Sequence, residues 1–187
     1  MKDFKIVPMN LETDKPQIAK WQQDFAGKPE FDGILHFILE DNTYFGLDEV
    51  ITTNYEIFPI GEDETKHALV AKTRDGEIVG FVICSVFGLT TKEPEMFLQY
   101  IVVNPAFQNK GYGTAILSKL LTEPKKYVGA KPVNIFSYIH NNNFASKNLY
   151  DSIGFEFAPQ KNSDYIKATG SQPVIEKCIN SLHGLKK

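Results

Sequence analysis

Residues 99–117, QYIVVNPAFQNKGYGTAIL, decide the fold of this chain. An apolar, β-branched run ends in Asn104-Pro105, a polar loop follows with Gly111 and Gly113, and a helical pattern of apolar residues begins at Ala115. A strand, a glycine-containing loop and a helix start in this order favour anion binding, because the first N–H groups of a helix are unpaired and its dipole attracts negative charge. Glycines let such a backbone approach a phosphate closely. The stretch therefore predicts a site for a phosphorylated ligand.

Composition and charge narrow the class of protein. The chain has 187 residues, 42% hydrophobic and 23% charged, which predicts a single globular domain over residues 1–187. A net charge of -3 and a pI near 5.8 argue against a protein that coats nucleic acid, because such proteins usually carry a basic face. The basic doublets Lys125-Lys126 and Lys186-Lys187 are too short to act as a polybasic membrane anchor.

Cysteine usage and the lack of targeting patterns predict a cytoplasmic protein. Cys84 lies in the apolar run GFVICSVF and Cys178 in a late helical pattern, and their spacing matches neither a metal site nor a redox motif. The N-terminal sequence MKDFKIVPMN lacks the apolar core of a signal peptide. No window approaches the roughly 20 apolar residues that span a bilayer. We therefore expect no metal ion, no nucleic acid and no membrane as partners.

Hydrophobic periodicity and breaker residues predict the secondary structure. Asp14 is predicted to cap a first helix that has Pro16 in its first turn and runs to Phe25. The tripeptide Arg74-Asp75-Gly76 is predicted to turn a β-hairpin. The predicted strands are 4–7, 67–72, 77–83, 96–103, 132–139, 155–157 and 164–168, and the further helices are 31–39, 115–121, 143–153 and 173–183. Gly154 is predicted to end the helix that starts at Asn143.

The order of these elements predicts the fold class. It is β-α-α, then a meander of three strands, then α-β-α-β-β-α. This order favours an α/β (α+β) protein with a mixed sheet and helices on both faces, rather than a regular alternation of βαβ units. Residues 43–65 show no clear pattern.

The glycine loop alone leaves two interpretations open. Gly111-Tyr112-Gly113 is shorter than a Walker A loop and lacks its Gly-Lys-Ser/Thr ending, and it also lacks the third glycine of the dinucleotide fingerprint. The alternative to a phosphate site is a tight strand-to-helix turn with no ligand.

A second polar segment strengthens the ligand interpretation. Asn143, Ser146 and Tyr150 are spaced so that a helix places all three on one face. An amide, a hydroxyl and a phenol in one stripe favour a helix that faces a polar ligand. The structural alternative is that Asn143 caps the helix, Ser146 is solvated, and Tyr150 belongs to the core with its hydroxyl at the rim.

Together the two segments resemble the GNAT family of N-acetyltransferases. The match is Gln108-x-x-Gly111-x-Gly113 after a strand, followed by Asn143-x-x-Ser146-x-x-x-Tyr150-x-x-x-Gly154-Phe155 after the next strand. The resemblance covers roughly residues 66–158 as a recognisable core, with acceptor-side helices in 14–45. It implies an acyl-CoA N-acyltransferase fold with a mixed, mostly antiparallel sheet.

The resemblance also implies a cofactor site. Acetyl-CoA would lie in a V-shaped gap between strands 97–103 and 133–139, with its pantetheine arm paired to the first strand like an added strand. Backbone N–H groups of residues 109–114 would hold the pyrophosphate, Asn143 would bond the pantetheine, and Tyr150 would sit near the sulfur. The implied cofactor-binding residues are Ile101, Val102, Val103, Gln108, Asn109, Lys110, Gly111, Tyr112, Gly113, Thr114, Asn143 and Ser146, and the implied catalytic residue is Tyr150.

The chemistry of acyl transfer gives roles to some of these groups. Attack of an amine on a thioester builds an oxyanion, which a backbone N–H such as that of Ile101 would stabilise. The leaving thiolate takes a proton, and a phenol is a reasonable donor. Many members of the family carry a Glu near Gln99, but an amide cannot accept the amine's proton. His140, Glu40 and Glu56 are the alternative bases, and for each a structural role is the simpler explanation.

Three function classes remain at this point. The first is an N-acetyltransferase acting on a primary amine of a small molecule or peptide. The second is a non-catalytic CoA-binding sensor or partner-binding module, which Gln99 favours and Tyr150 disfavours. The third is a nucleotide-binding domain of another class. The acceptor is not specified, since the aromatic residues Tyr44, Phe45, Tyr55 and Phe58 fit a core as well as a pocket, and a homodimer through the final strands or helix is compatible with the sequence.

Overall fold

The computed structural model describes residues 3–26, 63–161 and 163–184. In this part of the chain, seven strands form one sheet in the order β1-β2-β3-β4-β5-β7-β6. The strands are β1 (Lys5–Pro8), β2 (Glu64–Lys72), β3 (Ile78–Phe87), β4 (Glu95–Val103), β5 (Asn134–His140), β6 (Glu156–Pro159) and β7 (Tyr165–Ser171). The helices are α1 (Leu11–Ala19), α2 (Gln22–Phe25), α3 (Tyr112–Thr122), α4 (Pro124–Val128), α5 (Phe144–Asp151) and α6 (Gln172–Gly184), with a short 3₁₀ helix at Pro105–Phe107.

The sheet is mixed and mostly antiparallel, as predicted. Among the described strands, β4 and β5 form the one parallel pair, and their register covers only the three pairs from Glu95↔Asn134 to Phe97↔Phe136. Beyond these pairs each strand continues without the other as a neighbour. The result is a gap between β4 and β5 that opens toward their carboxyl ends, and we call it the fork.

Helices cover both faces of the sheet, which confirms the predicted layering. The larger apolar cluster packs α3, α5 and α6 against inward-facing residues of the strands, and we call this side the α3 face. A smaller cluster packs Ile18 of α1, Trp21 at the N-cap of α2 and Phe25 of α2 against Phe81 and neighbouring residues, on what we call the α1 face. From Phe81 onward the side chains of β3 alternate between the two faces, as a two-residue period requires. A β-bulge at Val79 breaks this alternation near the start of the strand, so Val79 and Phe81 lie on opposite faces.

The start of the first helix differs from the prediction. Asn10, not Asp14, is the N-cap, since its Oδ1 accepts from the Thr13 N–H at 3.1 Å. Asp14 lies one turn into α1 and its carboxylate accepts from the Asn10 N–H at 2.9 Å. The predicted single helix is also two short ones, α1 and α2. Both Asn and Asp are good N-caps, so local sequence does not separate them.

Other predicted elements stand in their expected places, with adjusted ends. The hairpin turns at Gly76, whose φ is +84°, and β3 continues to Phe87, beyond the predicted end at residue 83. Helix α4 was not predicted, although Pro124 at its first turn and Gly129 at φ +73° are start and stop signals. The predicted helix 31–39 lies outside the described residues.

Candidate functional site

Asn104 anchors the loop that follows β4. Its buried side-chain amide donates to the Ile78 carbonyl at 2.8 Å, and its backbone N–H donates to the Val79 carbonyl at 2.9 Å. Its Oδ1 accepts from the Ala106 N–H at 3.0 Å, which starts the 3₁₀ helix. One side chain therefore joins the end of β4 to β3 and sets the direction in which the loop leaves the sheet. In the sequence, the Asn104-Pro105 pair indicates only the end of a strand.

The loop folds back on itself before α3 begins. Gln108 Nε2 donates to the Val103 carbonyl at 3.1 Å, and the exposed Lys110 donates from Nζ to the Ala106 carbonyl at 2.8 Å. Asn109 has φ +57° and Gly111, the N-cap of α3, has φ +73°. Because glycine has no side chain, Gly111 supplies no capping oxygen for the first turn of α3. The N-terminus of α3 therefore presents backbone donors and the positive end of its dipole to an anion.

The two glycines of the motif have different structural roles. Gly111 adopts a left-handed conformation that side chains with a Cβ rarely take. A Cβ added at Gly113 would lie 3.5 Å from Leu149 and 3.5 Å from Val103, which is ordinary contact distance. Gly111 is thus required by backbone geometry, whereas Gly113 lies where α3 packs beside α5 and β4.

The remaining predicted loop and strand residues lie around this helix start. Ile101 belongs to the α3 face, where it packs against the larger cluster, and Val102 is buried on the α1 face. The Tyr112 ring packs edge-on to Phe107, with centroids 5.2 Å apart. Thr114 follows in the first turn of α3. The structure therefore brings the predicted 101–114 set together at the carboxyl end of β4.

Tyr150 lies at the closed end of the fork. Its side chain is 2% exposed and belongs to the larger apolar cluster, with its ring edge-on to Phe155 at 4.8 Å. Its phenol interacts with the hydroxyl of Ser137 on β5. Ser137 Oγ donates to the Leu98 carbonyl on β4 at 2.8 Å, and both residues directly follow the last β4–β5 pair. The phenol therefore reaches the point at which the two strands separate.

Burial has the largest effect on the pKa values of Tyr150 and of nearby Cys84. Removal from water raises the pKa of the Tyr150 phenol far above its ordinary value, and a hydrogen bond with Ser137 offsets part of this rise. Burial also raises the pKa of the nearby Cys84 thiol to about 12. Both groups are therefore neutral at physiological pH, and Tyr150 is available as a proton donor.

Gln99 is the extra residue of a β-bulge in β4. In the register with β3, Ile83 pairs with Tyr100 and Cys84 pairs with Leu98, so Gln99 has no cross-strand partner on β3. A bulge frees one residue's backbone from the ladder and re-aims the neighbouring groups. This bulge lies at the fork, one residue from Leu98, and no sequence signal marked it.

The second predicted segment, which contains Asn143, Ser146 and Tyr150, has visible structural roles in and around α5. Asn143 caps α5, because its Oδ1 accepts from the Ser146 N–H at 3.0 Å, and Ser146 is half-buried beside it. Lys147 holds the preceding turn by donating from Nζ to the Asn141 carbonyl at 2.7 Å. These positions match the structural alternative for Asn143, which caps its own helix, and for Tyr150, which is packed in the core. The role of the three residues toward a ligand stays a prediction. Gly154, at φ +88°, ends the helix as predicted.

The candidate bases lie away from the closed end of the fork or outside the described residues. His140 stands three residues beyond Ser137, roughly 10 Å along β5. Its Nδ1 accepts from the Asn142 N–H at 3.1 Å and its ring meets Tyr165 edge-on. Glu40 and Glu56, like the aromatic residues of 44–58, lie outside the described residues.

On the α1 face an aromatic cluster flanks the fork. Phe97 stacks on Phe136 with centroids 5.1 Å apart, and Tyr138 meets both rings edge-on. The ammonium of Lys167 lies 4.9 Å above the Phe136 ring. A cavity of about 610 Å³ adjoins this cluster, and its lining includes Phe136, Glu95, Glu156 and Lys167. The α1 face thus carries an aromatic cluster beside the fork. The cavity next to it lies at the paired amino ends of β4 and β5, carries both signs of charge, and also reaches Ile135, Gly154 and Val174.

Within residues 3–26, 63–161 and 163–184, no group of three or more His, Cys, Asp or Glu side chains is arranged to hold a metal ion. In the same ranges, no helix is long and apolar enough to cross a bilayer.

Sequence comparison with known proteins finds a family whose model matches more than half of the chain. The model of the Acetyltransferase (GNAT) family matches residues 31–155. An uncharacterized N-acetyltransferase of Bacillus subtilis (strain 168) is 29% identical over 97 residues, which are 52% of this chain and 61% of that relative. The chain therefore spans less than two thirds of the length of this relative.

Comparison with solved structures supports the same fold. A spermidine N-acetyltransferase from Vibrio cholerae, solved with CoA and spermine, has a TM-score of 0.57 at 12% identity, covering 92% of this chain and 98% of that chain. The ribosomal-protein-S18-alanine N-acetyltransferase from Escherichia coli has a TM-score of 0.54 at 21% identity, covering 89% and 90%. At these identities the likeness concerns the fold alone.

Proposed function

Because the chain belongs to the acetyltransferase (GNAT) family, we propose that it transfers an acetyl group from acetyl-CoA to a primary amine by direct attack in a ternary complex. The observation that carries this proposal is the position of Tyr150 at the closed end of the fork. The glycine loop and the start of α3 lie at the open end, at the end of the same strand. A proton donor and an anion site are thus joined by one strand, β4.

The residues present fit acetyl-CoA. Beyond Phe97 the β5-facing edge of β4 has no β5 partner, so Ile101, Val102 and Val103 offer backbone groups to an extended amide-containing arm. The uncapped start of α3 and the left-handed Gly111 suit a pyrophosphate. Asn143 uses its Oδ1 as a cap, which leaves its side-chain NH₂ as the donor toward the arm.

When bound, acetyl-CoA supplies an activated acetyl thioester. The residues of the chain then have three tasks. Backbone N–H groups near the Gln99 bulge stabilise negative charge that develops on the carbonyl oxygen. Tyr150 gives its phenolic proton to the departing sulfur. The fork holds the amine and the thioester together, and this positioning supplies much of the rate.

We infer that the amine approaches from the α1 face. The α3 face is filled at the fork by Tyr150 and the packed helices, which leave little room for a second substrate. The α1 face carries the aromatic cluster of Phe97, Phe136 and Tyr138, which the cavity adjoins. A primary amine on a small molecule or a peptide chain fits such a surface, because aromatic faces attract cations and cover apolar stems.

The first test is ligand binding followed by a transfer assay. Thermal-shift and calorimetric titrations compare acetyl-CoA with ATP and NAD, and a ligand at a hundredfold excess over its Kd stabilises the protein by about 2.7 kcal/mol. Thiol release from acetyl-CoA is then followed over a panel of polyamines, aminoglycosides and peptides. Mass spectrometry of the product verifies that the acetyl group is on nitrogen.

Each outcome of this test has a distinct meaning. Selective binding of acetyl-CoA with turnover on at least one amine supports the proposal. Selective binding without turnover on any amine favours a CoA-binding module that has lost transfer activity. No stabilisation by acetyl-CoA would refute the pyrophosphate role of the Gly111 loop and the transfer activity with it.

A further inference from the structure

We propose that Ser137 is a positioning residue that supplies a hydrogen bond to Tyr150 as the phenol gives up its proton. This inference rests on the proposed acetyl transfer, since it assigns to Ser137 a role in that step. Ser137 is buried on β5 directly after the last β4–β5 pair. Its hydroxyl interacts with the Tyr150 phenol.

The Ser137 hydroxyl has two possible acceptors at the fork, the Leu98 carbonyl and the Tyr150 phenol oxygen. A serine hydroxyl has one proton to donate. In the structure Ser137 gives that proton to the Leu98 carbonyl at 2.8 Å. The Tyr150 phenol is the second acceptor in reach of the same hydroxyl. Rotation of the hydroxyl about its Cβ–Oγ bond is all that exchanges one partner for the other.

The two arrangements suit two stages of the reaction. While Tyr150 is neutral it needs no donor, and Ser137 keeps the Leu98 carbonyl satisfied across the closed end of the fork. When the C–S bond breaks, the sulfur keeps the bonding electron pair and takes the phenolic proton, which leaves a phenolate. Ser137 then turns its proton to that oxygen. The nitrogen loses a proton as the amide forms, and an equivalent proton returns to the phenolate through water.

Few groups around Tyr150 can donate a hydrogen bond to its phenolate. A phenolate in an apolar corner is costly unless a donor reaches it. The ring contacts Phe155, which donates nothing, and the thiol of Cys84 is only a weak donor. Among the described side chains that interact with the phenol, Ser137 is the one hydroxyl. Hydrogen bonds to charged groups are about twice as strong as neutral ones, so the benefit appears mainly as the phenolate forms.

The experiment is a double-mutant cycle with matched controls. Ser137→Ala removes the donor, Ser137→Thr keeps it, and Ser118→Ala is a control at another buried serine, in α3. Each substitution is made with Tyr150 present and in the Tyr150→Phe background. The measurements are kcat and KM for acetyl-CoA with an amine that the wild type acetylates, together with the melting temperature of each variant.

We expect Ser137→Ala to lower kcat about tenfold to a hundredfold with Tyr150 present, and KM for acetyl-CoA to stay within about threefold. In the Tyr150→Phe background the same change should have little effect on kcat, because no phenolate forms. Ser137→Thr should recover most of the loss. A loss of kcat that is equal in both backgrounds would show a purely structural role and overturn the proposal, as would no loss at all.

A measurement that does not depend on turnover separates this inference from the proposed function. In protein labelled at tyrosine ¹³Cζ, the Tyr150 resonance is identified by its absence in Tyr150→Phe. Ser137→Ala should move that resonance, and Ser118→Ala should not. An unmoved resonance refutes the contact even in an active enzyme. A moved resonance in a wild type that acetylates no amine refutes the proposed function, and with it the catalytic role, while the contact itself stands.

Discussion

The ammonium of Lys72 on β2 lies 2.6 Å from Oδ1 of Asp14 on α1, and the Asp14 side chain is only 1% exposed. The other carboxylate oxygen accepts from the Asn10 N–H at 2.9 Å. Burial alone would raise the pKa of Asp14, but the hydrogen bonds with Lys72, Asn10 and Thr13 and the charge of Lys72 outweigh it, so the pKa lies below its usual value. This pair therefore ties the first helix to the sheet as an ionised carboxylate.

Replacing Asp14 should destabilise the fold in a pH-dependent way. We expect Asp14→Asn to lower the free energy of unfolding by about 2–4 kcal/mol at pH 7, since it leaves a partly buried ammonium without its partner. A depressed pKa stabilises the folded state above the unfolded value near 4, and the benefit is lost as pH falls through the folded pKa. Urea unfolding of both proteins at pH 7 and pH 3 should show the difference narrowing at pH 3.

A surface ion pair provides the control for Asp14. Arg74 Nε lies 2.7 Å from Asp3 Oδ2, but their side chains are 81% and 63% exposed. Solvent screens such a pair, so Asp3→Asn should leave stability nearly unchanged at both pH values. Equal destabilisation by Asp14→Asn at pH 7 and pH 3 would show that packing, and not the ion pair, is the source of its effect.

The two motif glycines should respond oppositely to alanine. Gly111→Ala places a Cβ on a left-handed residue and should cost about 1–2 kcal/mol of stability, together with a loss of acetyl-CoA affinity. Gly113→Ala meets only ordinary contacts with Leu149 and Val103 and should leave stability unchanged or raise it by up to about 1 kcal/mol. Denaturant titration and calorimetry with acetyl-CoA measure both effects. A larger loss of stability at Gly113 than at Gly111 would contradict this assignment of roles.

Local patterns in the sequence predicted elements well and long-range contacts poorly. The hairpin at Gly76 and the helix end at Gly154 follow from turn chemistry within a few residues, and both appear in the structure. The buried pairing of Asp14 with Lys72 joins residues 58 positions apart, so a capping rule alone assigned Asp14 the wrong role. Periodicity specifies a face and not a partner, and only the folded chain places a helix against a particular strand.

In the candidate site, too, the sequence predicted the local features and missed those that depend on long-range contacts. The loop motif predicted the loop and the helix start at Gly111, and both appear in the structure because turn chemistry is local. Anion binding there stays a prediction. The bulge at Gln99 arises from the register between two strands, which no single-strand pattern contains. The sequence did not indicate a role for Ser137, because its two partners lie on another strand and on α5.

Cys84 should be inert in the folded protein. It is fully buried, and its pKa is raised to about 12, so almost no thiolate is present at pH 8. We expect a disulfide reagent added to native protein to react with Cys178, which is partly exposed, and to reach Cys84 only on unfolding. Peptide mapping after timed labelling separates the two cysteines. Labelling of both at similar rates in native buffer would mean that the corner around Tyr150 opens readily.

The final prediction concerns Tyr150 and the pH dependence of turnover. Tyr150→Phe should lower kcat by about a hundredfold or more and change the Kd for acetyl-CoA by less than about threefold, since the hydroxyl acts on the leaving group. Because burial raises the pKa of the phenol, the acid form persists, and kcat of the wild type should not fall between pH 7 and about pH 10 through loss of this proton. Stopped-flow thiol release across this range, with binding measured by calorimetry, tests both statements. An alkaline limb with a midpoint below pH 9 that disappears in Tyr150→Phe would show that the phenol ionises easily and is exposed to solvent when substrates bind.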